Sequence, residues 1–146
     1  MQITIEPIKE KDFDALATLF LEFATFENLP EKMNNSVERM KKEKEYFRGF
    51  IARDENSNIA GYVNYFFAYY TWTGKSMYMD DLYVREKYRG QGIGTMLINK
   101  VIDLAKKEKC NGIRWQVSNW NQAAIHFYEK LGAKINRVEM NCDLVF

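Results

Sequence analysis

Between a strand-like run and a long amphipathic helix, the chain places three glycines on alternate positions, Gly90, Gly92 and Gly94. Residues without a Cβ let successive backbone N–H groups converge on an anion, and the start of a helix adds partial positive charge at the same point. A diphosphate fits such a seat. The spacing excludes two nucleotide loops: the G-x4-G-K-S/T pattern is absent, and a G-x-G-x-x-G fingerprint fails because position 95 is Thr. Upstream, Met77-Tyr78-Met79-Asp80-Asp81-Leu82-Tyr83-Val84 has strand composition, yet two acids interrupt it where a sheet ordinarily carries none. Downstream, Met96, Leu97, Val101, Leu104 and Ala105 fall at helical spacing, and the helix is predicted to end near Lys109 with cations in its last turn.

The same reading extends to the rest of the chain. Ile3 and Ile5 alternate as a short strand, and Phe13, Leu16, Ala17, Phe20 and Ala24 describe a helix begun near Asp12. The charged segment 35–48 predicts a solvated helix, with Asn35 and Glu38 spaced for a capping box. Phe50-Ile51-Ala52 and the run 60–66 flank the polar turn 54–58 as a hairpin, and Thr73-Gly74-Lys75 turns the chain again. Ile113, Trp115 and Val117 predict a strand, Trp120 to Leu131 a helix stopped by Gly132, and Val138, Met140, Cys142, Leu144 and Phe146 a closing strand. The order β, α, α, antiparallel strands, β-loop-α, β, α, β predicts one α/β domain over residues 1–146, a mixed sheet with helices on both faces.

Composition removes several alternatives. A chain of 146 residues, 47% hydrophobic with only two Pro and eight Gly, has the core of an ordinary domain and not the bias of a disordered or collagen-like one. Lys and Arg number 21 against 20 Asp and Glu, a net +1 that lacks the surplus a phosphate backbone demands, so no nucleic-acid partner is expected. Cys110 and Cys142 form no CxxC and no ligand cluster, which predicts reduced thiols and no metal site. With no apolar run of about 20 residues and no basic-then-apolar start, a soluble cytoplasmic protein without membrane contact is expected.

Tyr88-Arg89-Gly90-Gln91-Gly92-Ile93-Gly94 resembles the R-x-x-G-x-G/A loop of the GNAT superfamily of N-acetyltransferases. The run 78–84 resembles that family's splayed strand. Asn119-Trp120-Asn121-Gln122-Ala123-Ala124-Ile125-His126-Phe127-Tyr128-Glu129-Lys130-Leu131-Gly132-Ala133 resembles its N-x-x-A-x-x-x-Y-x-x-x-G-A helix. Glu27, the Trp72-Thr73-Gly74-Lys75 turn and Asp80-Asp81 look most like the polyamine (spermidine/spermine-type) acetyltransferases, although the position before the Trp72 turn where those enzymes carry an acid is Tyr70.

The resemblance implies a mostly antiparallel sheet with a central splayed strand pair, and acetyl-CoA as acetyl donor with no metal. It implies cofactor contacts from Leu82, Tyr83 and Val84 along the strand and from Arg89, Gly90, Gln91, Gly92, Ile93, Gly94 and Thr95 at the loop. Asn121, Ala124 and Lys130 are the expected contacts on the later helix. Asp80 is the implied base and Tyr128 the implied acid. Tyr128 also belongs to the apolar stripe of its helix, and Asn121 also suits a helix start. Glu27, Trp72, Asp80 and Asp81 are the expected substrate contacts, with aromatics such as Tyr69 and Tyr70 available for cation–π contact. The implied activity is acetyl transfer to a primary amine, foremost a small diamine or polyamine, by direct attack in a ternary complex. A protein lysine or N-terminus, an amino acid or a drug amine are the alternative acceptors, and a non-catalytic acetyl-CoA-binding module the alternative role. By fold analogy and its aromatic strand the protein is expected to form a homodimer.

Overall fold

Five strands form one mixed sheet in the order in which they occur along the chain: β1 (Thr4–Pro7), β2 (Arg48–Arg53), β3 (Ile59–Tyr70), β4 (Gly74–Val84) and β5 (Ile113–Arg114). The computed structural model describes residues 1–146. The pairs β1–β2, β2–β3 and β3–β4 are antiparallel, and β5 joins β4 in parallel. Two compact units divide the chain. Met1–Trp115 holds the sheet with α1 (Phe13–Phe26), α2 (Val37–Lys42) and α3 (Ile93–Lys107), and Gln116–Phe146 holds α4 (Gln122–Lys130).

Side-chain alternation along β3 assigns the two faces of the sheet. Tyr62 points toward α1, where it is fully buried with Phe13, Leu16, Leu19, Ile51 and Tyr83. Its neighbour Gly61 faces the other way, and a Cβ there would lie 3.4 Å from a Leu97 methyl group of α3. The helices therefore cover opposite faces. Phe13, Leu16 and Leu19 are the buried stripe of α1, and Ile93, Leu97, Ile98, Val101 and Ala105 that of α3, spacings that put each set on one side of its helix. At the start of α1, Asp12 is buried, accepts the Lys9 N–H at 2.8 Å and pairs with Arg53 of β2, which ties the helix entry to the sheet.

Three expectations are corrected. The charged helix runs only from Val37 to Lys42, and its cap is Ser36, whose hydroxyl accepts the Arg39 N–H at 3.1 Å, rather than Asn35. Phe47 leaves helical geometry because its ring packs edge-on against Phe13 and Phe20 in the core. The strand expected over 113–117 ends at Arg114, because its register on β4 stops at Tyr78. The closing strand is not formed: residues 133–146 carry no regular structure, and Val138, Met140 and Leu144 are all more than 80% exposed. Alternation selects a strand only where a neighbouring edge supplies the hydrogen bonds, and this segment forms no ladder pair.

Gly61 has no room for a side chain, since a Cβ would lie 2.5 Å from the Tyr83 carbonyl oxygen on β4. Gly61→Ala is expected to cost about 1–3 kcal/mol of unfolding free energy, read as a lower urea midpoint with an unchanged m-value.

Candidate active site

The register of β3 on β4 accounts for the two acids in the middle of a strand. Asn64 lies opposite Asp81 and Tyr65 opposite Met79, so Asp80 has no partner residue and forms a β-bulge. The Asn64 side-chain oxygen accepts the Asp81 N–H at 2.8 Å and holds the bulge in place. On its other edge β4 pairs with β5 only at Met77 and Tyr78, so the residues from Met79 to Val84 run on with no partner strand there. Leu82 and Val84 are half-buried along this edge. The Tyr83 side chain is buried toward α1, with its hydroxyl donating to Glu22 at 2.8 Å.

Three carboxylates gather around the bulge. Asp81 faces the α1 side and accepts a hydrogen bond from the Tyr62 hydroxyl at 2.7 Å. Its pKa is pushed up to about 7, first by burial and then by the charge of Asp80, with Glu27 adding to the rise and the Tyr62 hydrogen bond opposing it. Asp80 keeps an exposed tip, yet the surrounding protein desolvates its carboxyl enough to raise its pKa as well. Burial and the Asp81 charge push the Tyr62 phenol well above its ordinary range, so it remains a donor. Glu27 follows the last turn of α1, where Asn28 turns left-handed at φ +63° and ends the helix. The carbonyl end of α1 adds partial negative charge to the acids, so an ammonium group is favoured here.

The glycine loop follows β4 and is fastened on both sides. Tyr88 is buried, and its hydroxyl donates to Asp54 at 2.7 Å; that carboxylate also accepts the N–H groups of Asn56 and Asn58, both at 2.9 Å. These bonds, the Tyr88 one foremost, hold Asp54 down to about 2. Arg89 donates from Nε to the Val84 carbonyl at 2.8 Å and lays its guanidinium over Phe26 at 4.6 Å and Tyr83 at 5.6 Å. Its charge is thus spent on fixing the loop to β4 and α1. Gly90 and Gly92 then take positive φ of 75° and 81°, with open space where a side chain would stand. The first bond inside α3 runs from Met96 N to Gly92 O at 3.0 Å, so the N–H groups of Ile93, Gly94 and Thr95 have no carbonyl within the helix. A 15-residue helix directs its positive end at this open loop. The donor set fits a diphosphate.

The structure brings Glu27, Asp80 and Asp81 together and leaves Trp72 apart from them. Trp72 is 97% exposed in the turn between β3 and β4, and the strand from Asp81 back to Gly74 spans about 23 Å. Within the second unit, Asn121 caps α4 by accepting the Ala124 N–H at 3.1 Å. Tyr128 is buried with its ring against Phe127, while Lys130 and His126 are exposed. Gly132, at φ +90°, ends that helix as its spacing predicted. Sequence reasoning missed Tyr62 and Asn64, which acquire their roles only from the register that sets them beside Asp81.

An acidic strand with an unpaired edge leads into a helix start whose open N–H groups suit an anionic ligand, and comparison with known proteins gives the class. Residues 13–133 match the acetyltransferase (GNAT) family. The chain is 35% identical to the thialysine N-epsilon-acetyltransferase of Mus musculus over 141 residues, covering 89% of this chain and 83% of that protein. It is 40% identical over 73 residues to the human spermidine/spermine N(1)-acetyltransferase-like protein 1, a stretch covering 50% of this chain and 10% of that protein. Its fold matches an aminoglycoside acetyltransferase from an uncultured soil metagenomic sample with a TM-score of 0.81 at 21% identity, over 99% of this chain and 100% of the other. The chain belongs to the GNAT family and is an N-acetyltransferase, and the family's donor is acetyl-CoA.

Asp81 binds its proton more tightly when folded than when unfolded, so its contribution to stability falls as pH rises from about 4 toward 7. Asp81→Asn is therefore expected to raise the melting temperature by a few degrees at pH 8 and to leave it nearly unchanged at pH 4. For catalysis, kcat/KM toward a cationic amine should rise with pH through the Asp81 midpoint. Tyr62→Phe, which removes the bond opposing the rise, should move that midpoint upward in a pH-rate profile.

Proposed function

We propose that the protein transfers the acetyl group of acetyl-CoA to the primary amine of a small aliphatic molecule, a class that includes polyamines and diamino acids. The observation that carries this reading is one strand, β4, with an acidic bulge at Asp80 and Asp81 and, a few residues on, the open N–H groups of 90–95. The names of the relatives, a thialysine and a spermidine/spermine-like acetyltransferase, support a small amine over a protein acceptor. The family match runs through both units, which supports their working as one domain.

Acetyl-CoA supplies an activated acetyl thioester. The loop N–H groups from Gly90 to Thr95 bind its diphosphate, and the free edge at Leu82 to Val84 offers backbone groups to the amides of its arm, as an added strand would take them. Near Leu82 a backbone N–H serves as the oxyanion-type donor. An amine of ordinary pKa about 10 arrives protonated, and the Glu27, Asp80 and Asp81 carboxylates draw it in. Asp80, the more exposed of the two bulge acids, takes its proton directly or through water. One C–N bond then forms as one C–S bond breaks; Tyr128, assigned by its place in the family motif, protonates the departing thiolate, the second proton lost by the new amide nitrogen restores the phenol through solvent, and Asp80 releases its proton to solvent. Asn121, Ala124 and Lys130 complete the cofactor contacts on α4 by the same motif. The exposed Tyr69 and Trp72 at the hairpin tip support a homodimer, and the free thiols of Cys110 and Cys142 suit the cytoplasm.

The test is acetyl-CoA consumption with polyamines, diamino acids, aminoglycosides and peptides as acceptors. A small aliphatic amine should give the highest kcat/KM, and turnover confined to peptides would overturn the substrate class. Tyr128→Phe should lower kcat by about 100-fold or more while the KM for acetyl-CoA stays within about twofold. Unchanged kcat would return Tyr128 to a packing role.

A further inference from the structure

The face of the sheet that carries Asp81 continues past the acids. The register pairs Tyr62 with Tyr83, Asn64 with Asp81 and Phe66 with Tyr78, so alternation sets Phe66, Tyr78 and Tyr70 on the side of the sheet where the acids gather. Phe66 and Tyr78 stack at 5.0 Å as an aromatic floor, with Phe66 46% exposed. On the neighbouring strand Arg114 lies beside Tyr78 in register, two residues or about 7 Å along β4 from Asp80. Its side chain is exposed, and its guanidinium rests on the Tyr70 ring at 4.2 Å.

That guanidinium has no carboxylate partner in the chain. Stacking occupies its face and leaves the N–H edge available for a planar anion. Arg114 does not figure in the titration of Asp80 or Asp81, whereas the Tyr78 phenol between them responds to Asp80 in one direction and to Arg114 in the other. One face thus carries an acidic pole, an aromatic floor and a separate cationic pole. A substrate with positive charge at both ends satisfies only the first and meets repulsion at the second. A molecule with an amine at one end and a carboxylate at the other satisfies both.

Resting on the acetyl-transfer reading, we infer that Arg114, seated on Tyr70, is a specificity-determining residue that binds the carboxylate of an amino-acid acceptor while Asp80 and Asp81 receive its distal amine. The exposed three-methylene arm lets the guanidinium follow a carboxylate back along the floor toward Tyr78. Tyr70 holds the charge above the sheet when the site is open.

The experiment compares acceptors that differ only in the carboxylate: ornithine with putrescine, and lysine with cadaverine, each with acetyl-CoA. Wild type should favour the amino acid of each pair by about tenfold or more in kcat/KM. Arg114→Gln should abolish that preference by raising KM for the amino acids while kcat/KM for the diamines rises as the repulsion is removed; Arg114→Lys should restore part of the preference, and Arg114→Glu should reverse it. Equal losses on both members of a pair, or a wild type that favours the diamines, would overturn the role of Arg114 and leave acetyl transfer standing. Failure to acetylate any of the four, or any other amine, would overturn the transfer reading and this inference with it. A circular-dichroism melt within a few degrees of wild type shows that each variant is folded, since Arg114 makes no buried contact.

Discussion

A single hydrogen bond, from the Asp81 N–H to the Asn64 side chain, holds the irregularity on which the site depends. A regular ladder would place Asp80 and Asp81 on opposite faces of the sheet and give each a cross-strand neighbour. The bulge removes the neighbour of Asp80, and past the last β5 pair at Tyr78 the strand β4 runs on with an edge of backbone that no strand pairs.

The glycine loop depends on the same strand for its position. Arg89 grips Val84, the last residue of β4, and its guanidinium packs on Phe26 and Tyr83, while Tyr88 is anchored to Asp54 in the hairpin loop between β2 and β3. The glycines supply backbone freedom, and these side chains remove the motion that such freedom would allow. The open N–H groups at the start of α3 are thereby fixed relative to the acids of β4. The loop is braced at both shoulders.

Electrostatics divides the open face rather than neutralising it. Burial raises both carboxylates of the bulge, the Asp80 charge adds to the rise at Asp81, Tyr62 restrains Asp81 through its hydroxyl, and no basic residue of the chain pairs with either acid. Arg114 stays apart on Tyr70. Like charges confined without counter-ions cost stability in the empty protein, and that cost is recovered when a complementary ligand arrives. Such unpaired poles mark a face shaped for binding more than for folding.

The sequence by itself determined the helices α1 and α3 and the β2–β3–β4 meander, because each is written in local periodicity; the glycine run marked a candidate anion loop, and the class of chemistry was legible only through the resemblance of that loop, its strand and the later helix to the GNAT superfamily. It also marked Asp80 and Asp81 as anomalous within a strand. Only the tertiary structure decided which residue is the bulge, that Asn64 and Tyr62 serve the acids, that Arg89 binds the Val84 carbonyl, and that Trp72 lies in the turn beyond the far end of β4, whose strand from Gly74 to Asp81 spans about 23 Å. It likewise decided that the alternating residues after Gly132 form no strand. The reason is common to all of these: register and edge pairing bring together residues far apart in sequence, and a pattern of period two is identical whether or not a partner strand is there to receive it.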